Sequence, residues 1–101
     1  MRAVVWSADA HRDMLEILRH IAEDNPDAAE RVVDALEAAG RRLGEFLTGR
    51  PGRVAGTYEK SLDRLPYIIA YETRAMAGRE TIVILRVIHT ARDWPDEGWP
   101  R

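Results

Sequence analysis

Residues 7–47 read SADAHRDMLEILRHIAEDNPDAAERVVDALEAAGRRLGEFL: two amphipathic helices with one sharp break. Ser7 is placed to cap the first helix, because its hydroxyl can satisfy an orphan backbone N–H. Asp9 suits the positive end of that helix. Ala10, Met14, Ile17, Leu18 and Ile21 recur at three and four residues, so one face is buried, and the helix should stop near Asp24. Asn25-Pro26 then restarts the pattern. Asn caps, and Pro at the first helical position loses nothing, since its missing N–H had no partner there. The second helix is expected from Pro26 to about Leu47, with a stripe of Ala29, Val32, Val33, Leu36, Ala39, Leu43 and Phe46 or Leu47. Glu37 and Arg41 give mild i,i+4 support on its solvated side. So short a turn packs the helices as an αα-hairpin.

On either side of the hairpin the period changes to two. Arg2–Trp6 is a short β-branched and aromatic strand that breaks at Ser7. Beyond the helices, residues 48–52 (TGRPG) form a loop by composition. Arg53–Ser61 reads as a weak strand interrupted by Gly56, and Pro66–Thr73 as a clear one. Arg74–Arg79 reads as a hairpin loop. Glu80–His89 (ETIVILRVIH) is the strongest strand, apolar on both parities through Ile82–Leu85, as expected of a central strand covered on both faces. Residues 90–101 form a Pro-rich tail with Trp94 and Trp99. The expected fold is therefore α+β, in two layers and in the order β-α-α-β-β-β, with the helical hairpin packed on an antiparallel sheet.

A chain of 101 residues has room for one core, so residues 1–101 are expected to be one domain. With 46% hydrophobic and 32% charged residues, the balance is that of a soluble globular protein rather than a disordered one. No apolar run approaches the ~20 residues of a membrane helix, and no secretory signal is visible at the start. The absence of cysteine excludes a disulfide scaffold, a thiolate zinc site and a cysteine nucleophile. A cytoplasmic location fits. The net charge is −2, but residues 1–49 carry −4 and residues 50–92 carry +4, so the chain is polarised along its length. Fourteen of the fifteen basic residues are arginine; a GC-rich genome suffices to explain that bias.

Few patterns carry chemistry. His11 and His20 lie about 900° of helical rotation apart and cannot share a metal; both read as solvated. His89 ends the central strand between Arg86 and Arg92, where it is either a general acid–base or a hydrogen-bonded turn residue. Arg64, Arg86 and Arg92 can converge, because antiparallel strands bring their ends together. Three guanidinium groups around one point would stabilise a pentacoordinate phosphate, with His89, Glu59 and Tyr71 as the available acid–base groups. The alternative, which the sequence favours, is separate salt bridges to the acidic helices or to a partner's carboxylates. Trp6, Tyr67 and Tyr71 read as core, whereas Trp94 and Trp99 suit an interface. Phosphate-binding, dinucleotide-binding, zinc-protease and α/β-hydrolase motifs are all absent, so no cofactor and no metal are implied.

Three motifs in order resemble the ParE/RelE toxins of bacterial type II toxin–antitoxin systems. VVWSADAHRDMLEILRHIAEDNPDAAERVVDAL is similar to the family's first strand, Trp-Ser cap and Asn-Pro-x-Ala-Ala turn. LPYIIAYE is similar to its Pro-Tyr strand, and ILRVIHTARDWP to the last ParE strand with its His-x-x-Arg-Asp-Trp ending. At Gly52-Arg53 the chain departs, running on as VAGTYEKSL where ParE chains more often show Gly-x-Arg-Glu. The resemblance implies a toxin that inhibits DNA gyrase by protein–protein binding and is neutralised by a cognate ParD-like antitoxin. Operator DNA would then be met only indirectly, through the antitoxin. It places Arg64, Arg86, His89, Arg92 and Trp94 on the functional surface. The other branch of the family implies a ribosome-dependent mRNA interferase, in which His89, Arg86, Arg64 and Arg92 would be catalytic. One lysine and a net negative charge fit RNA binding poorly, since phosphate contacts carry that affinity.

Overall fold

The structure, a computed structural model, describes residues 1–91. Arg92, Trp94 and Trp99 lie outside the described residues. The elements are β1 (Ala3–Trp6), α1 (Ala8–Ala22), α2 (Pro26–Glu45), β2 (Arg50–Pro51), β3 (Tyr58–Ser61), β4 (Tyr67–Met76) and β5 (Arg79–His89). They form one five-stranded sheet in the order β1-β5-β4-β3-β2, with the helical hairpin on one face.

The hairpin forms as its punctuation requires. The Ser7 hydroxyl accepts from the Ala10 N–H at 3.0 Å and Asn25 Oδ1 from the Ala28 N–H at 3.0 Å. Both caps thus satisfy a donor that has no partner within its helix. Ala10, Ile17, Ala29, Leu36 and Leu43 are buried along the inward stripe. The stripe ends earlier than its period implies. α2 stops at Glu45, Phe46 takes an extended conformation, and Phe46 and Leu47 are 65% and 43% exposed.

Three features of the sheet differ from the expectation. The sheet is mixed rather than wholly antiparallel, because β1 pairs parallel with β5 over Ala3↔Thr81 to Trp6↔Ile84. The helical hairpin carries the chain over the sheet, and β1 lies at its edge beside β5. The loop at residues 48–52 supplies a two-residue edge strand, β2, opposite Tyr58 and Glu59, while residues 53–57 turn instead of extending the strand backwards. The β4–β5 loop shrinks to Ala77-Gly78. Both residues have positive φ (52° and 76°), as a two-residue hairpin of the right twist demands, so the strands run on through Met76 and from Arg79.

The main core lies between the hairpin and the sheet. Leu36, Leu43, Ile69, Ile82 and Ile84 are its largest fully buried side chains, each contributing roughly 1.5–3 kcal/mol by burial. α2 approaches β1 closely through two glycines. A Cβ at Gly44 would stand 2.6 Å from the Arg2 carbonyl oxygen, and one at Gly40 would stand 2.7 Å from the Trp6 ring. The Arg2 N–H donates to the Gly44 carbonyl at 2.8 Å, tying strand to helix. On the opposite face Ala70 and Ile88 form a second buried cluster with Val54 against it. Val83 and Leu85 are buried as well, as a strand apolar on both parities requires.

Candidate target-binding surface

The pairing of β4 with β5 places Tyr67 opposite His89, so the end of β5 lies beside the β3–β4 turn. The Thr90 N–H donates to the Pro66 carbonyl at 2.8 Å and the Leu62 N–H to the Tyr67 carbonyl at 3.1 Å. Arg64 sits in this turn with φ at 66°, a left-handed conformation uncommon for a residue with a Cβ. Its side chain is exposed and makes no ion pair among the described residues. His89 stands edge-on to the Tyr67 ring at 5.3 Å, and its Nδ1 accepts from the Ala91 N–H at 3.1 Å. That hydrogen bond is the turn contact named in one of the two readings of His89. Arg64 and His89 therefore share one end of the sheet.

Arg86 has a structural partner. β1 ends at Trp6, opposite Ile84, and β5 bulges there, with Ala70 facing Arg86 and Tyr71 facing Ile84. Past that point other groups take over the bare edge of β5. The Ser7 hydroxyl donates to the Leu85 carbonyl at 2.9 Å. Asp13 of α1 accepts the Val87 N–H at 2.9 Å and the Arg86 guanidinium at 2.8 and 3.1 Å. This bidentate pairing holds the guanidinium pKa above its usual value, with burial opposing and the nearby Asp13, Asp9 and Glu16 charges adding to the rise. Arg86 is thus committed to an acidic helix, one of the two roles open to it in the sequence.

The acid–base candidates do not meet. Tyr71 belongs to the helix-side core. Its hydroxyl donates to the Thr48 carbonyl at 2.5 Å, its ring stacks on Tyr58 at 5.6 Å, and its pKa is raised by burial and then by Tyr58. Glu59 is opposite Ala70, on the other face, and is 3% exposed. Its carboxylate accepts the Arg53 N–H at 2.9 Å and lies 3.7 Å from the Arg50 guanidinium. His89 is four strand positions from Tyr71 by register, about 13 Å along the strand. Among the described residues no three His, Asp or Glu side chains gather as a metal site.

Asp13 is the residue that sequence reasoning missed. Its signal was there in Asp9, Asp13 and Glu16 on successive turns of one helix, but the basic partner lay more than seventy residues away. The other omission is a cleft of about 540 Å³ between α2 and the β3–β4 turn. Its walls come from Ala38, Ala39, Leu43, Leu62 and Leu65, and Arg42 and Lys60 stand on it from opposite sides. Small residues within a helix announce nothing until their neighbour is known.

The comparisons with known proteins agree with one another. Residues 4–94 match the family described as ParE toxin of type II toxin-antitoxin system, parDE. The Sinorhizobium fredii toxin candidate Y4kP is 38% identical over 95 residues, which cover 93% of this chain and 94% of that protein. Among solved structures, one described as the chromosomal ParDE TA system from P. aeruginosa superposes with a TM-score of 0.78 at 24% identity, over 88% of this chain and 96% of the other. One described as the toxin-antitoxin complex RelBE2 from Mycobacterium tuberculosis gives a TM-score of 0.60 at 26% identity, over 87% and 96% of the two chains.

Proposed function

Because the chain belongs to the ParE toxin family of type II toxin–antitoxin systems, we propose that it arrests growth by binding DNA gyrase, with no chemistry of its own, and that a ParD-like antitoxin neutralises it. The observation that carries this reading is the dispersal of Glu59, Tyr71 and His89. RNA cleavage needs a base for the 2′-hydroxyl and an acid for the leaving oxygen within reach of one phosphate. Here the candidates stand on two faces and at separate positions of the sheet, with Glu59 and Tyr71 each engaged in the fold. A protein-binding surface has no such requirement. Arg64 and His89 at the sheet end are assigned to it, together with Arg92 and Trp94 of the family's sequence signature, and arginine and tryptophan are frequent anchors of interfaces. Arg86 supports the surface through its pairing with Asp13.

Pulse-labelling after controlled induction in bacteria tests the proposal. Thymidine incorporation should fall first while amino-acid incorporation persists, and purified gyrase should accumulate cleaved DNA when the protein is added. A translation collapse that precedes the loss of DNA synthesis would replace gyrase by the ribosome as target. The Arg92→Ala/Trp94→Ala double variant should stay folded and lose toxicity; full toxicity in that folded variant would remove both residues from the surface.

A further inference from the structure

The β4–β5 hairpin outruns the domain. The last buried residues before its turn are Tyr71 and, on the way back, Thr81; all of residues 73–80 are exposed. The ribbon thus runs on for about 13 Å with neither face covered. Ordering it costs chain entropy that no burial within the chain offsets, and an uncovered two-stranded ribbon is barely stable alone. Its outer edge is bare as well. β3 pairs with β4 only as far as Tyr58↔Tyr71, so from Glu72 to Met76 β4 has β5 as its one neighbouring strand among the described residues.

The register fixes which backbone groups point outward. The Leu62 N–H donates to the Tyr67 carbonyl and the Thr90 N–H to the Pro66 carbonyl, so odd-numbered residues of β4 turn their backbone toward β3 and even-numbered ones toward β5. The bulge puts its extra residue in β5, and the alternation in β4 continues. Thr73 and Ala75 therefore offer their N–H and C=O groups to the bare edge. Native edges are blunted by proline, bulges or charge; from Glu72 to Met76 the one guard is charge. Thr73 and Ala75 follow Tyr71 on the helix side, where a hollow of about 350 Å³ opens between Leu47, Tyr58, Tyr71, Thr73 and Glu80. Arg74 lies on the other face, paired with Glu72 yet exposed.

We infer that this edge takes up one extended strand of the protein target. The residue opposite Thr73 is apolar and fills the hollow, and its neighbour opposite Arg74 is acidic. The inference rests on the target-binding reading above and adds a second contact to it, about 30 Å along β4 from the end that holds Arg64 and His89. Main-chain bonds at Thr73 and Ala75 supply the affinity, and the alternating side chains select the sequence. A ribbon that stands ahead of its domain reaches a strand edge recessed in a folded protein, where a flat face does not. A second copy of this chain fits badly. Pairing Thr73 with Ala75 across a two-fold axis sets Arg74 against its own copy, and like charges directly opposite destabilise a sheet.

The test compares the full chain with Ala75→Pro, which removes an outward N–H at a position where an edge strand tolerates proline, and with Arg74→Glu. Thermal melts check folding, and the exposed charge reversal keeps the test decisive if the proline variant unfolds. Each folded variant should bind purified gyrase at least about tenfold more weakly, the equivalent of one lost hydrogen bond, and lose growth arrest. Each should still bind the small protein encoded next to the gene as the wild type does. Amide exchange of residues 72–76 in the wild type should slow when gyrase is bound. Full growth arrest in both folded variants would overturn the inference, as would unslowed exchange in the gyrase complex. Weaker binding of the neighbour protein with arrest intact would assign the edge to the antitoxin, and loss of self-association with arrest intact would assign it to a second copy; either overturns it. A wild-type chain that leaves gyrase alone and stops translation would defeat the gyrase reading only, because the growth-arrest comparison still reads the edge.

Discussion

Tyr71 and Asp13 each hold a backbone group that secondary structure leaves open. The Tyr71 hydroxyl donates to the Thr48 carbonyl just past the end of α2, so Tyr71→Phe should cost about 1 kcal/mol in denaturant unfolding. The same contact has a pH signature. Burial and Tyr58 raise the tyrosine pKa in the folded state, so the neutral form is favoured there. The stabilisation is therefore complete below the ordinary tyrosine pKa of about 10 and is lost as pH rises through the raised folded value. The Phe variant should lose this alkaline limb, which melting curves across that range would show. Asp13→Ala should cost about 2 kcal/mol, because it frees the Val87 N–H and strips Arg86 of its partner together. Arg86→Ala should cost less, since Asp13 keeps the Val87 N–H and gains access to water. Urea titrations of the pair would show that order; equal losses would mean that the backbone bond contributes nothing.

At the scale of elements, the tight points are the helix–strand contact and the β4–β5 turn. Gly44→Ala gains roughly 1 kcal/mol of helix propensity, but its Cβ would stand 2.6 Å from a backbone oxygen. Neither backbone can yield locally, so the variant should melt lower than wild type. Ala77→Asn should do the opposite. It creates an Asn-Gly pair where φ is positive at both positions and should raise stability by about 0.5–1 kcal/mol, read as a higher melting temperature. These two sites also mark the limit of what the sequence disclosed. The hairpin was legible because Ser7 and Asn25-Pro26 act within three residues of themselves, and local capping chemistry is written locally. The β4–β5 pair was legible through two β-branched apolar runs on either side of a short turn. The direction of β1 was not, because four residues fit either orientation, and the choice is made by a partner nearly eighty positions away. β2 has only two residues, too few for any period. The same holds for the site. A convergence of Arg64 with the arginines around the end of β5 was legible from strand-end reasoning, whereas the separation of Glu59 from Tyr71 depends on which face each occupies. A register bulge at Ala70/Tyr71 cannot be read from composition.

Over the whole molecule, the acidic helices and the arginine-rich strands lie in separate layers, so the charge polarity of the sequence becomes a polarity of the fold. Asp13 with Arg86 is one place where the layers neutralise each other; Arg42, Lys60 and Arg64 make no ion pair among the described residues. Association with an acidic partner should be steered by these cations. Its on-rate should fall steeply with added salt, while the off-rate changes little, a split that stopped-flow mixing would resolve. The parallel docking of β1 on β5 has a kinetic meaning as well. The β4–β5 hairpin closes through a two-residue turn, and the helices form from neighbouring residues, but β1 must find β5 across almost the entire chain. Loop-closure entropy sets that step late in folding. Until β1 arrives, Ile82–Ile84 present an unpaired apolar edge, the kind of template on which nascent chains cross-pair. Shaving Val4 to Ala should therefore speed unfolding and leave the folding rate nearly untouched. On that ordering β1 is the last strand to dock, and the yield of native protein should depend on how long that edge waits.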